Sequence, residues 1–446
     1  MIDIHAFHAA LLRVSDHLDG VIDKYVGTLK IAAPRALALI GRGHLVKSEM
    51  KLVISVRKHV LINNAVHPRE KINNLVMKRY IILAFLAIVI LLISDSCSSK
   101  KKISTTNNDI NSTVSNAANK PQNVILMIGD GMSTPQIYAA IIASDSPTSF
   151  EKFPITGLVK TNSQSHKITD SAAGGTAIAT GHKTKNGMIG MNADSIAMPS
   201  MLEIFSDKGM KTGLVATSYI THATPASFVA KNINRNNYEE IALDFAQCDK
   251  VDLLIGGGRK HFTNRKDGRN LIDEMTNNGW YYYDTLYKNI EHKEKLIILA
   301  AEKHLPTYNE RGSFLPDATS LALKNLNNEN GFFLMVEGSQ IDFAGHDKDS
   351  TYLVNEMLDF NNTINNVLDF ADKNPNTLVI VTADHETGGL TIIDPNEAYS
   401  RNDFHFSTGS HTPLLVPIFA IGPGSQNFTG IMDNTDIIKK IMKLFD

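Results

Sequence analysis

From Asn123 onward, short apolar runs alternate with longer stretches of helical spacing, and this alternation restricts the fold more than any other feature. The runs cover residues 124–128, 213–216, 251–255, 332–336, 378–381 and 416–421. Each is rich in β-branched or large apolar side chains and is bounded by Gly, Asp, Asn or Thr. That is the pattern of strands buried on both faces. The intervening stretch 352–371 places Leu353, Met357, Phe360, Ile364, Val367, Leu368 and Ala371 on one stripe of a helix. Strands alternating with helices predict an α/β fold: a doubly wound, mostly parallel central sheet with helices on both faces. No repeat of fixed period interrupts the pattern.

The residues that end the runs point to chemistry. Ile128 leads into Gly129-Asp130-Gly131, Val336 into Glu337-Gly338, and Val381 into Thr382-Ala383-Asp384-His385. One acidic residue after a strand is most often a helix cap or a turn residue. Three of them, at strand ends where open α/β sheets bind ligands, weaken that reading. Asp342 and His346 stand four residues apart, so on a helix they share a face. His411 is a third imidazole candidate. Oxygen and imidazole donors without thiolate suit zinc in a hydrolytic site, or manganese or iron. Ser171 follows Asp170 and precedes Ala-Ala-Gly-Gly, small residues that let a helix N-terminus approach an anion. It can be a nucleophile or only part of a cap; as a nucleophile it needs activation, and no neighbouring His suggests a triad.

Four segments together resemble the alkaline phosphatase family: Asn123 to Met132 around Gly-Asp130-Gly, Thr169-Asp170-Ser171-Ala172-Ala173-Gly174-Gly175-Thr176, Val336-Glu337-Gly338-Ser339-Gln340-Ile341-Asp342, and Thr382-Ala383-Asp384-His385-Glu386-Thr387-Gly388-Gly389. They occur in the family's order and span about residues 121–446. The resemblance implies hydrolysis of phosphate monoesters through a phosphoserine on Ser171, at two Zn2+ and one Mg2+. It assigns Asp342, His346 and His411 to the first zinc, which stabilises the leaving oxygen and later activates water. Asp384, His385 and Asp130 go to the second zinc, which activates Ser171. Asp130 also bridges to magnesium with Glu337 and Thr224. Arg235, eleven residues beyond Thr224, falls where the family places a phosphate-binding arginine; its planar fork can hold two phosphoryl oxygens, which a lysine cannot. His222 and Phe343 lie at positions where the family varies. His222 is expected to reach the magnesium region through water, and Phe343 leaves out a positive charge that some members carry. His166 and His182 read as structural or surface residues, and Gly256-Gly257-Gly258-Arg259 as a strand-end turn rather than a P-loop.

Composition narrows the partners. The chain is 43% hydrophobic and 20% charged, a globular balance, and its formal net charge of −2 offers no electrostatic case for nucleic acid. Its two cysteines, Cys97 and Cys248, make a poor disulfide pair and a poor metal site. Lys78 and Arg79 precede an apolar run over 81–93 that ends in Ser94-Asp95-Ser96-Cys97. This reads as a lipoprotein-type signal over 77–97, with export to the periplasm or membrane attachment through lipidated Cys97. Ser94 and Asp95 depart from the usual lipoprotein box. An uncleaved anchor or a buried element are the other readings. Residues 1–76 carry no motif; Met77 as the natural start, with 1–76 an overextended reading frame, is the simpler account, and a cytosolic segment the other. Residues 98–120 form a polar linker and 121–446 the catalytic domain. Family members are commonly dimers, so a homodimer is an open reading. Two functional alternatives remain: a related metal-dependent phosphodiesterase or sulfatase, and an inactive lipid-anchored protein that binds phosphate or metal.

Overall fold

The computed structural model describes residues 120–393 and 404–446. Residues 1–76, the 77–97 segment with Cys97, and the polar linker as far as residue 119 lie outside the described residues. Among the described residues no helix is long and apolar enough to cross a membrane.

The described chain forms strands β1 (Asn123–Gly129), β2 (Ile155–Lys160), β3 (Lys211–Tyr219), β4 (Leu253–Gly257), β5 (Tyr281–Tyr283), β6 (Leu296–Leu299), β7 (Phe332–Gly338) and β8 (Thr377–Thr382). After these come β9 (Glu386–Thr387), β10 (Leu390–Ile392), β11 (Phe404–Phe406), β12 (His411–Thr412), β13 (Val416–Ile421) and β14 (Gly430–Asp433). Ten of these make one sheet in the order β14-β2-β13-β8-β1-β7-β3-β4-β6-β5. All six apolar runs read from the sequence are strands of this sheet. Its pairings are parallel except those of β13, which runs antiparallel to both β8 and β2. The sequence reading did not anticipate β2, β5, β6 and β14. Two of them, β5 and β14, are edge strands whose side chains are largely half-buried or exposed, so they lack the two-faced apolar signature.

Every residue of β1, β7 and β8 is buried, because helices cover both faces. The long helix predicted over 352–371 spans Ser350–Lys373, and its stripe from Leu353 to Leu368 lies in the core. Asp349 caps it by accepting from the backbone N–H groups of Thr351 and Tyr352 at 2.9 and 3.0 Å.

Register decides where the acidic residues meet. Ile128 of β1 stands opposite Glu337 of β7 on one side and Thr382 of β8 on the other. Ala216 of β3 is also level with Glu337. Parallel strands about 4.8 Å apart therefore deliver Asp130, Glu337, Asp384 and the segment after β3 to one edge of the sheet. These residues are separated by up to 254 positions (130 to 384), and the pairing β8-β1-β7-β3 removes that distance.

Candidate metal centre

Ser171 opens helix α1 (Ser171–Thr180), and Asp170 caps it, accepting from Ala173 N–H at 3.0 Å. The helix end presses against the β8 terminus: a Cβ at Gly174 would come within 2.9 Å of the Asp384 carbonyl oxygen. Glycine is thus needed there for close approach. The result is a buried Ser171 whose Oγ lies 3.2 Å from His385 Nε2.

Three groups of donor atoms surround this point, each spanning no more than 4.8 Å: Asp342 with His346 and His411, Asp130 with Asp384 and His385, and Asp130 with His222 and Glu337. Asp342 and His346 do share a helix, α2 (Gln340–Asp347). Its first residue, Gln340, anchors it by donating to the Thr217 and Leu305 carbonyls at 3.1 and 2.8 Å and accepting from the Tyr352 hydroxyl at 2.6 Å.

The first group has the spacing of ligands on one ion. Nε2 of His346 and of His411 are 3.1 Å apart, and they stand 3.3 and 3.5 Å from Asp342 Oδ1. A tetrahedron with zinc–nitrogen arms of about 2.05 Å has edges of about 3.3 Å. The other ring nitrogens face carbonyls: His346 Nδ1 is 2.9 Å from Gly409 O, and His411 Nδ1 is 2.8 Å from Thr169 O. Those contacts place a proton on each Nδ1 and leave both Nε2 lone pairs aimed at the Asp342 oxygen. Three electron-rich atoms facing each other call for a cation. The hydrogen bond to Asp342 raises His346 to about 9. Burial works against ionisation of Asp342, yet its hydrogen bond to His346 and the neighbouring imidazoles hold it below the usual carboxylate range.

The second and third groups are more deeply buried and have orphaned polar atoms. His385 Nε2 lies 3.3 Å from Asp384 Oδ2 and 3.4 Å from Asp130 Oδ1. Both oxygens of Asp130, one each of Asp384 and Glu337, the Thr224 hydroxyl and His222 Nδ1 are buried with no hydrogen-bond partner. Such atoms are rarely left bare in a folded interior. Burial, reinforced by the mutual repulsion of the carboxylates, raises Asp384 to about 8 and lifts Asp130 well above the carboxylate range. Burial likewise raises Glu337 to about 7, against the hydrogen bond it accepts from Ser339. Burial also lowers His385 and His222 well below the ordinary histidine range. The donor set fits cations: imidazole and carboxylate in the second group, mostly oxygen in the third.

His222 lies in the third group. A ring nitrogen sits within the same 4.8 Å span as the Asp130 and Glu337 oxygens, a spacing that suits direct ligation as well as the contact through water that its sequence position implies. It borders Phe343, with ring centroids 5.8 Å apart. Arg235 borders the group through His222. Its Nη1 donates to Asp170 Oδ2 at 3.1 Å and its Nη2 lies 3.3 Å from His222 Nε2. His166 and His182 are exposed and belong to none of the three groups. Gly258, in the left-handed region at φ +93°, ends β4 in the expected turn.

One contributor was missed. The Thr387 hydroxyl donates to Asp342 Oδ1 at 2.5 Å and lies 3.2 Å from His385 Nδ1, so it touches a residue of each of two groups. Its place two residues after His385 was visible in the sequence. The contact with Asp342 comes from the fold.

A sequence model of the family described as alkaline phosphatase matches residues 121–402. Alkaline phosphatase 3 of Bacillus subtilis (strain 168) is 35% identical over 411 residues, covering 72% of this chain and 88% of that protein. The structure of alkaline phosphatase from the Antarctic bacterium TAB5 superposes with a TM-score of 0.70 at 43% identity, over 73% of this chain and 98% of that one. A mutant of the TAB5 enzyme solved with Mg bound in its M3 site gives a TM-score of 0.70 at 42% identity, with the same coverage.

Proposed function

The chain belongs to the alkaline phosphatase family, and from that premise we propose that it hydrolyses phosphate monoesters through a phosphoserine at Ser171. The observation that carries this reading is the position of Ser171 Oγ, 3.2 Å from His385 Nε2 and at a helix N-terminus beside orphaned carboxylate oxygens. Asp342, His346 and His411 would hold one zinc ion, and Asp130, Asp384 and His385 a second. Asp130, Glu337 and Thr224 would hold magnesium, with His222 as a further donor; the TAB5 mutant described with Mg in its M3 site supports a third ion. When bound, such ions supply the positive charge that makes a serine hydroxyl and a water nucleophilic near neutral pH.

The chain's own residues do the rest. Ser171 Oγ gives its proton to solvent and forms a bond to phosphorus while the P–O bond to the ester oxygen breaks; that oxygen leaves with the bonding pair and takes a proton from solvent to become the alcohol. Water then attacks phosphorus and breaks the Oγ–P bond, its released proton balancing the one that Ser171 Oγ takes back, and inorganic phosphate departs. The N-terminal amides of α1 face the developing negative charge. Arg235, oriented by Asp170, supplies paired donors to two phosphoryl oxygens. Export through the segment ending at Cys97 belongs to the same proposal and rests on its residues alone.

The test compares an aryl phosphate monoester with the corresponding diester, in the presence of zinc and magnesium and again with chelator. Monoester turnover should dominate and vanish on chelation; faster diester turnover would overturn the reading. A second expectation concerns Arg235→Lys. It keeps the charge but loses the fork, so kcat/KM for the monoester should fall about 10- to 100-fold, the worth of one charge-assisted hydrogen bond. Inhibition by inorganic phosphate should weaken in parallel. Steady-state kinetics with phosphate as inhibitor check both, and unchanged phosphate inhibition would remove Arg235 from the site.

A further inference from the structure

Glu386 directly follows His385, yet it belongs to none of the three donor groups. It is fully buried. Its carboxylate accepts from four donors: Gln136 Nε2 at 2.7 Å, the backbone N–H groups of Gly389 and Leu390 at 3.2 Å each, and the Thr412 hydroxyl. None of these donors is charged. Hydrogen bonds to a carboxylate are stronger than those of neutral pairs.

The donors come from the segments that carry the ligand candidates. Gln136 lies six positions after Asp130 and also donates to the Thr387 carbonyl at 3.0 Å. Thr412 adjoins His411. In the short antiparallel pair of β9 and β12, Thr412 stands opposite Glu386 and His411 opposite Thr387. Gly389 and Leu390 belong to the turn that leaves this pair, with Gly388 and Gly389 both in the left-handed region at φ +100° and +58°. One side chain therefore joins the segment of Asp130, the segment of Asp384 and His385, and the strand of His411.

We infer that Glu386 is a positioning residue that locks β9, which directly follows His385, in register with β12, which carries His411, so that both histidines meet their ions without rearrangement. The inference rests on the proposed metal centre. Residues that orient ligands from behind typically set metal affinity by about 10- to 100-fold. An amide cannot replace Glu386. Its NH2 group can turn toward Thr412, whose hydroxyl reverses, but then it opposes the Gly389 N–H; turned the other way it opposes Gln136 and Leu390.

The experiment measures zinc affinity of the full chain by competition with a chromogenic chelator, alongside the melting temperature of the metal-free protein. The variants are Glu386→Gln and Thr412→Val. Glu386→Gln is expected to weaken zinc binding about 10-fold or more. Thr412→Val, which deletes one of the four bonds, should weaken it less and leave the metal-free melting temperature unchanged. Should Glu386→Gln fail to fold, Thr412→Val decides. Wild-type zinc affinity in both folded variants overturns the inference alone. So does a loss of affinity that merely tracks a lower metal-free melting temperature, as a purely structural role would produce. Failure of the unaltered protein to take up zinc overturns the metal centre itself.

Discussion

Ser171→Ala is expected to abolish the phosphoenzyme and to lower kcat on an aryl phosphate about 10^3-fold or more, which corresponds to about 4 kcal/mol of transition-state stabilisation. The loss should be chemical and not structural. Asp170, not Ser171, caps α1, and alanine is the best helix former at the vacated position. The Ser171 hydroxyl has one hydrogen-bond contact, to His385 Nε2 at 3.2 Å, so its deletion leaves little unpaired. Metals and Arg235 would still bind phosphate, and any remaining rate would report direct attack by water. The check is acid quenching during turnover of a labelled monoester, with the melting temperature as a control for folding. A labelled protein or an undiminished kcat would eliminate Ser171 as nucleophile.

Stripping the metals should have the second largest effect, on both stability and rate. Asp130, Glu337, Asp342 and Asp384 lie within one buried site, and four carboxylates cannot all ionise there without a counter-charge. In the metal-free protein, burial and the repulsion of neighbouring carboxylates raise Asp384 to about 8, and burial raises Glu337 to about 7, far above the value of about 4 for unfolded carboxylates. Between those limits these carboxylates hold more protons in the folded state than in the unfolded chain. On these carboxylates metal-free stability falls as pH rises; the depressed His222 and His385 oppose that below about 6.5, so the net fall is expected between about 6.5 and about 8. Bound ions replace those protons, so the metal-loaded protein escapes this decline, and metal uptake near neutral pH should release protons. Ions at a thousandfold excess over their dissociation constants stabilise by about 4 kcal/mol, on the order of 10 °C in melting temperature. Paired melts with and without chelator from pH 5 to 9 check this. The gap should widen above about pH 6.5 while chelated enzyme loses monoester turnover. A gap that narrows toward pH 9, or activity that survives chelation, would contradict a centre built on these carboxylates.

Much of this site was legible in the chain because its pieces are local. A strand buried on both faces must be apolar along its length, so β1, β3, β4, β7, β8 and β13 announced themselves. The polar residue at which each run stops was equally visible, and so was the four-residue spacing that puts Asp342 and His346 on one face of a helix. The short strands β5 and β14 at the sheet edges carry no such signature, since one face or both meet solvent. The reversed direction of β13 leaves no trace in its composition, because parallel and antiparallel neighbours bury the same side chains.

The types of donor, the candidate nucleophile and the chain segments that supply them were thus determined by the sequence itself, through periodicity and through residues that end an element. Only the tertiary structure brought the donor atoms of each group within 4.8 Å of one another. Strand order and register bring Asp130, Glu337 and Asp384 level, and backbone carbonyls of Gly409 and Thr169 turn two histidine rings toward Asp342. The same folding moved His222 into direct reach of Asp130 and Glu337, and placed Glu386 behind His385 and His411. Those outcomes depend on pairing between segments far apart in the chain. Such pairing is set by how the whole core packs, and no local pattern of residues encodes it.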